Sequence, residues 1–327
     1  MKRPSLFAPR LVRYAVLSYG LLSMPSFAAA QQDLTAIRQT AFETGHGTLA
    51  LKRVTGGMYY ALNRPDRCVW LFSASGTSTG RISSIGMAPS DLLSPKDLAV
   101  DPTNNAVIAD ASGAIKVFSP AGQLLTSIPF KRPEHVAVLS DGRILASGFP
   151  RDTLISIFDK QGKLLGGIGT PASVDDNTFF NAVLNLGSIV VDSHDNIYYV
   201  FRHMLVPTVR RYRPDGTLTA EWHLQSGEVL NQIVAAAKVR YQENKKSGSY
   251  GGVPILTAAD FDDESSSLWV ASGAQVTQLD ASGNILRMVR LMQPDGKPLQ
   301  VSGIAVYPTL IRASGYMAGV FEYSKPR

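Results

Sequence analysis

The chain repeats one short phrase. FSPAGQLL (118–125), FDKQGKLL (158–165), YRPDGTLT (212–219) and LDASGNIL (279–286) share a leading apolar or aromatic residue, a polar turn, a glycine and a return to apolar character. Around each copy the order of events is the same: an apolar run, a polar turn often containing Asp or Asn, a second run, a short gap, a third run, the glycine turn and a fourth run. LAVDPTNNAVIADASGAIKVFSPAGQLLTSI (98–128) is the clearest case, and 136–168, 189–222 and 259–289 follow it, with a more degenerate copy at 56–85. The runs are short, rich in Val, Ile, Tyr and Phe, and bounded by turn residues, which is the signature of strands. Four strands every forty or so residues describe antiparallel units that stack as the blades of a β-propeller.

The phrase itself reads as a joint. Ser119, Asp159, Arg213 and Asp280 take the first turn position, Pro120 and Pro214 the second, and Gly122, Gly162, Gly216 and Gly283 the fourth, where a left-handed backbone is needed. That is a type I turn closed by a glycine bulge between the third and fourth strands. A fixed glycine among variable polar side chains marks architecture rather than an active motif.

The chain ends decide the blade number. VSGIAVYPTLIRASGYMAGVFEYS (301–324) supplies three strands and stops without the glycine turn, whereas DLTAIRQTAF (33–42) resembles a strand that follows such a turn. An N-terminal strand completing the last sheet closes the ring and removes exposed edges. The expectation is an all-β, six-bladed propeller of four-stranded antiparallel blades, five continuous and one shared between the termini, forming a single domain over 31–327. The LAVD-type first strands (Leu98 to Asp101, Ile189 to Asp192), the small residues ending the second strands (IADASG, 108–113; LASG, 145–148) and the aromatic-to-glycine turn resemble the NHL-repeat group of six-bladed propellers. The resemblance covers most of 47–323 and implies the fold, but propellers host unrelated activities.

Residues 1–30 differ in kind from the rest. Lys2, Arg3, Arg10 and Arg13 precede the apolar YAVLSYGLLSM, and PSFAAA follows. The pattern predicts a secretory signal peptide cleaved before Gln31, with an apolar run short of the roughly twenty residues that span a bilayer. Removing four basic and no acidic residues lowers the formal net charge from +6 to +2. The basic whole-chain balance therefore belongs largely to the leader, and no nucleic-acid partner is expected. The reading is a periplasmic or extracellular monomer without a stable membrane anchor. Cys68 is the one cysteine, so no intramolecular disulfide can form, and a buried structural thiol is expected.

Successive turn glycines lie 40, 54 and 67 residues apart, so two connections are enlarged. They are 170–187, between blades three and four, and 225–254, between blades four and five. Both leave an outer strand, so in alternating sheets both emerge on the face that also carries the loops joining second to third strands. Loops on a rigid scaffold carry function. In the second insertion Leu230, Ile233, Val234, Ala237 and Tyr241 recur at helical spacing, predicting an amphipathic helix whose stripe packs on the propeller. Phe179 and Phe180 should anchor the first insertion, and Asp175 with Asp176 reads as a solvated acidic turn.

The same face should carry the candidate ligand-binding residues Asn63, Arg64, Asp66, Arg151, Asp152, Arg202 and His203. At the starts of the inner strands stand Lys96, Asp97, Glu134, His135 and Ser188. Asp97 and His135 occupy equivalent places in neighbouring blades, and a His–carboxylate pair can do acid–base work; with Glu134 they are the catalytic candidates.

The five histidines are dispersed, and no HExxH, paired cysteines, GxSxG elbow, phosphate loop or dinucleotide fingerprint occurs. Among similar propellers the peptide-amidating lyases place inner-strand histidines around a metal, and here only His135 begins an inner strand. The gluconolactonase-like group holds calcium with carboxylates and amides, a chemistry that Asp97, Glu134 and Asn63 resemble. No cofactor is predicted, although a divalent metal in the central channel is compatible with the fold. The leading expectation is an exported, non-enzymatic propeller that binds a protein, peptide or glycan on the insertion-bearing face. The alternative is a metal-assisted hydrolase or lyase of gluconolactonase-like type, acting at the channel mouth.

Overall fold

The computed structural model describes residues 31–39, 47–83, 85–149, 152–225, 227–249 and 251–326. The predicted signal peptide, His46 and Arg151 lie outside the described residues.

Each sheet runs from an inner strand at the channel to an outer strand at the rim. The inner strands are Thr48–Arg53, Pro95–Val100, Pro133–Val138, Gly187–Val191, Ala258–Asp262 and Val301–Val306, and each opens an antiparallel sheet of consecutive strands. Every inner strand touches the next, and the sixth returns to the first. Six blades therefore close into a ring, as the repeat and the chain ends predict.

The core is divided into six apolar clusters, one per blade interface. The strand Ala106–Asp110 shows how one sequence serves two of them: Ala106 and Ile108 pack toward blade one, while Val107 and Ala109 pack toward blade three. Alternate side chains leave opposite faces of a strand, and here both faces are covered. That is why the runs read as continuously apolar rather than alternating.

The turn glycines are held at φ between 83° and 89°, and each N–H closes on the carbonyl three residues earlier, as in Gly162 to Asp159 and Gly283 to Asp280 at 3.0 Å. They also seal the blade interface. A Cβ at Gly283 would lie 2.4 Å from Trp222 of the preceding blade, and one at Gly162 would lie 2.7 Å from Ile128.

The N-terminal segment splits where one completing strand is expected. β1 (Gln31–Thr35) runs parallel to the outer strand of blade five, and β2 (Arg38–Gln39) completes blade six antiparallel to Gly319–Ser324. The cause is local: Leu34 and Ala36 pack into the cluster between blades five and six, while Asp33 takes both Arg290 donors at 2.9 and 2.6 Å.

Closure is fastened by Glu322. It accepts from Arg38 Nε and from Arg312 Nε, each at 2.9 Å. Arg312 is 3% exposed, donates to the Gly57 and Ala74 carbonyls of blade one at 3.1 and 2.7 Å, and lies over the Tyr59 and Tyr307 rings. Burial alone would raise the Glu322 carboxyl, but the two guanidinium bonds outweigh it and hold the group below its ordinary range.

α1 (Thr178–Leu184) is capped by the Asn177 side chain, and α2 (Glu228–Ser247) ends at the left-handed Gly248. Leu230 and Ala237 are buried with Ile255 and Leu256, and Ile233 and Val234 pack beside them. The helical stripe therefore faces the propeller, as its spacing predicts.

The insertions also grip each other. Phe180 meets Tyr241 edge-on at 5.7 Å, and Lys245 bonds Asp175 at 2.9 Å. The Asp175 side chain is 1% exposed, not solvated as expected, because α2 lays a lysine across it; Asp176 remains exposed.

Replacing Glu322 by Ala leaves Arg312 buried without its counter-charge and is expected to cost about 3–5 kcal/mol, whereas Arg38→Ala, at the exposed end, is expected to cost about 1 kcal/mol or less. Urea unfolding of both variants checks this. Equal, small effects would remove Glu322 from its role as fastener.

Candidate functional site

The inner strands begin on the face that carries the second-to-third-strand loops. Backbone bonds join the two sets, as in Arg64 N–H to Gly47 O and Arg202 N–H to Leu186 O, both 2.9 Å. The same face carries both insertions: the return from α2 donates from Ile255 N–H to the Arg202 carbonyl at 2.6 Å. Here the channel opens into a cavity of about 380 Å³.

Four cationic side chains line the cavity, Lys52, Arg64, Lys96 and Arg202, against one carboxylate, Asp97. Lys96 stands 3.9 Å from Glu134, a loose pair of two partly exposed groups, and neither Lys52 nor Arg64 has a side-chain hydrogen bond among the described residues. The mouth therefore carries an excess of positive charge in a concave, partly desolvated setting, where fields are focused.

Three of these elements share one buried chain of bonds. His135 Nδ1 lies 3.1 Å from Asp97 Oδ2, and Arg202 Nη1 lies 3.2 Å from His135 Nε2. A guanidinium only donates, so Nε2 accepts and Nδ1 carries the proton that goes to Asp97. Burial alone would raise the Asp97 carboxyl; the His135 bond, the Lys52 charge and the Leu98 N–H outweigh it and hold it low. Burial pulls the Arg202 guanidinium down, against the charges of Asp97 and Glu134. With both ring nitrogens engaged, His135 acts in this arrangement as a brace for Arg202 rather than as a free base.

The remaining predicted residues scatter. Arg64 and Arg202 reach the cavity, and so does Ser188. Asn63 is fully buried and its Oδ1 accepts from Asp66 N–H at 2.8 Å, so both serve the turn. Glu134 stands beside the mouth, paired with Lys96. Asp152 is exposed, away from the cavity lining. His203 lies beneath the return from α2, against Gly252 and Val253. Cys68 is buried, and burial pushes its thiol up to about 12, which fits a structural thiol.

Lys52, Gln300 and Tyr316 also line the cavity and have no motif to announce them. Lys52 was nevertheless legible: counted from each strand start it stands where three of the other five inner strands carry alanine, Ala99, Ala137 and Ala305, and the remaining two Val191 and Asp262.

A divalent cation does not fit this donor set. Among the described residues no group of three or more His, Cys, Asp and Glu side chains converges, and Asp97 Oδ2 already accepts from Val136 N–H as well as facing His135.

No family model matches the chain, and no curated protein is similar to it in sequence. Solved structures share its fold. A gluconolactonase from Xanthomonas campestris aligns with a TM-score of 0.60 at 13% identity, over 91% of this chain and 97% of that one. A streptogramin B lyase aligns at 0.57 and 12%, over 89% and 87%, and the virginiamycin B lyase of Staphylococcus aureus at 0.57 and 11%, over 90% and 99%. At these identities the likeness shows the propeller fold alone.

Burial, reinforced by the Arg202 charge and opposed by a hydrogen bond to the Val253 backbone, pushes His203 down to about 4. The unfolded chain binds this proton from about pH 6.5 downward, while the folded chain refuses it until about 4. Stability contributed by neutral His203 is therefore complete above pH 6.5 and is lost as pH falls toward 4, by at most about 3 kcal/mol. Urea melts between pH 7 and pH 4.5 should show this slope, and His203→Gln should flatten it; an unchanged slope in the variant would assign the effect elsewhere.

Proposed function

We propose that the protein is an exported binding propeller that takes an acidic ligand, a peptide or glycan segment, into the channel mouth on the insertion-bearing face. The observation that carries this reading is the charge of the mouth: four cations line one cavity, and the single lining carboxylate is committed to His135. An excess of cations around a concavity raises the local concentration of anions and steers their approach. The second insertion reaches the opening, with Pro254 in the lining itself.

Catalysis by the Asp97–His135 pair is the second reading, and the geometry favours it less. A general base needs a free nitrogen within reach of its proton, and Arg202 occupies Nε2. Asp97, Glu134 and His135 also do not converge as three, because Glu134 is turned to Lys96.

Thermal-shift titrations of the full mature chain test the proposal with hexaglutamate and trigalacturonate, alongside maltotriose as the neutral control. Acidic probes are expected to raise the melting temperature, less so at high salt, and Arg64→Glu combined with Lys52→Glu should abolish the shift. Equal responses to trigalacturonate and maltotriose, or an undiminished shift in the double variant, would sink the reading.

A further inference from the structure

We infer that the mouth contains a preorganised carboxylate subsite formed by Arg202 and Ser188. This rests on the binding reading above and names the group the ligand presents there.

A guanidinium offers donors along two edges. In Arg202 the Nη1 donor is spent on His135 Nε2 at 3.2 Å. The Nε donor is buried with no hydrogen-bond partner, and Nη2 bonds no described residue. Nε–H and Nη2–H are the two parallel donors of the side edge, whose spacing matches the two oxygens of a carboxylate. A buried donor without an acceptor is costly in the free protein, so an arriving oxygen removes a penalty as well as forming a bond.

Ser188 supplies a third donor. Its Oγ is likewise buried without a partner, and it lines the same cavity. It pairs in register with Val200, two residues from Arg202, so both groups stand at the mouth end of blade four. Other buried polar atoms of the described residues also lack a partner, but among them only these two belong to residues that line the cavity, and a buried polar atom is ordinarily satisfied.

The edge is also held still. His135 Nδ1–H bonds Asp97 and fixes the ring, and Nε2 then fixes Nη1. Asp97 and His135 come from blades two and three and Arg202 from blade four, so three blades set the orientation of one side chain. Fixing a receptor before binding lowers the ordering cost of the complex. Two coplanar donors and one hydroxyl suit a planar monoanion; a phosphate dianion would ask for donors around a third oxygen as well.

Fluorine NMR titration of the full mature chain tests this with para-trifluoromethylbenzoate, its benzamide and its phenylphosphonate. Benzoate should bind about tenfold or more tightly than the neutral benzamide. Arg202→Lys keeps the charge but loses the edge, and should weaken benzoate about tenfold; Ser188→Ala, a small change in a folded strand, should weaken it about threefold. Benzoate binding unchanged in both variants, or benzamide bound equally well, overturns the subsite. Phenylphosphonate bound in preference to benzoate overturns it too, but leaves the acidic-ligand reading standing. Failure of all three probes together with the acidic oligomers overturns both.

Discussion

A four-stranded sheet with two apolar faces has no stable existence alone, and that single constraint organises this protein. Each blade needs a neighbour on both sides, so stacking cannot stop until the last blade meets the first. The six separate apolar clusters are the record of that requirement, since stability is spread around the ring instead of gathered in one centre. The turn glycines serve the same end. Their missing Cβ lets a hairpin nestle against Trp222 or Ile128 of the blade before, so each copy of the repeated phrase is both a bend in one sheet and a seat for the next.

The site follows from this geometry. Inner strands converge on the channel, so side chains near their starts meet although they are far apart in the chain: Asp97 and His135 are 38 residues apart, and Arg202, from the loop after the second strand of blade four, reaches His135 across 67 residues. Convergence also concentrates like charges, and Lys52, Arg64, Lys96 and Arg202 share one opening. A surface would screen such charges with water and ions; a concave mouth does so less. The positive mouth exists although residues 31–327 together carry a formal net charge of only +2.

Strand number, blade number and the glycine turns were legible because they recur, and recurrence exposes register. Register in turn made the Asp97–His135 pair visible, since the two residues hold equivalent places in adjacent blades. It had the power to show Lys52 as well, through the alanines at the equivalent place in three other blades. Spacing puts Arg202 on the same face but gives no sign that it stands next to His135, because it comes from a loop and loops carry no register. Asp175 looked solvated for a similar reason: its partner Lys245 lies 70 residues away on a helix whose tilt no spacing encodes. The division of the N-terminal segment into two strands hangs on Leu34 and Ala36 filling a wedge between blades, and the size of that wedge is a property of the assembled ring.

The fastening of Arg38 to Glu322 spans 284 residues of chain, and that separation orders events in time. Contacts so distant in sequence form late, after their loop-closure entropy has been met by the pairing of everything between them. A chain emerging from its N-terminus presents β1 and β2 first, yet their partners on blades five and six are made last. The waiting strands are short and mostly polar, Gln31, Gln32, Asp33 and Thr35 around the single apolar Leu34 in one and Arg38 and Gln39 in the other, so they offer little for other unfinished chains to pair with. The same two strands that lock the finished ring thus present few apolar side chains while they wait for it.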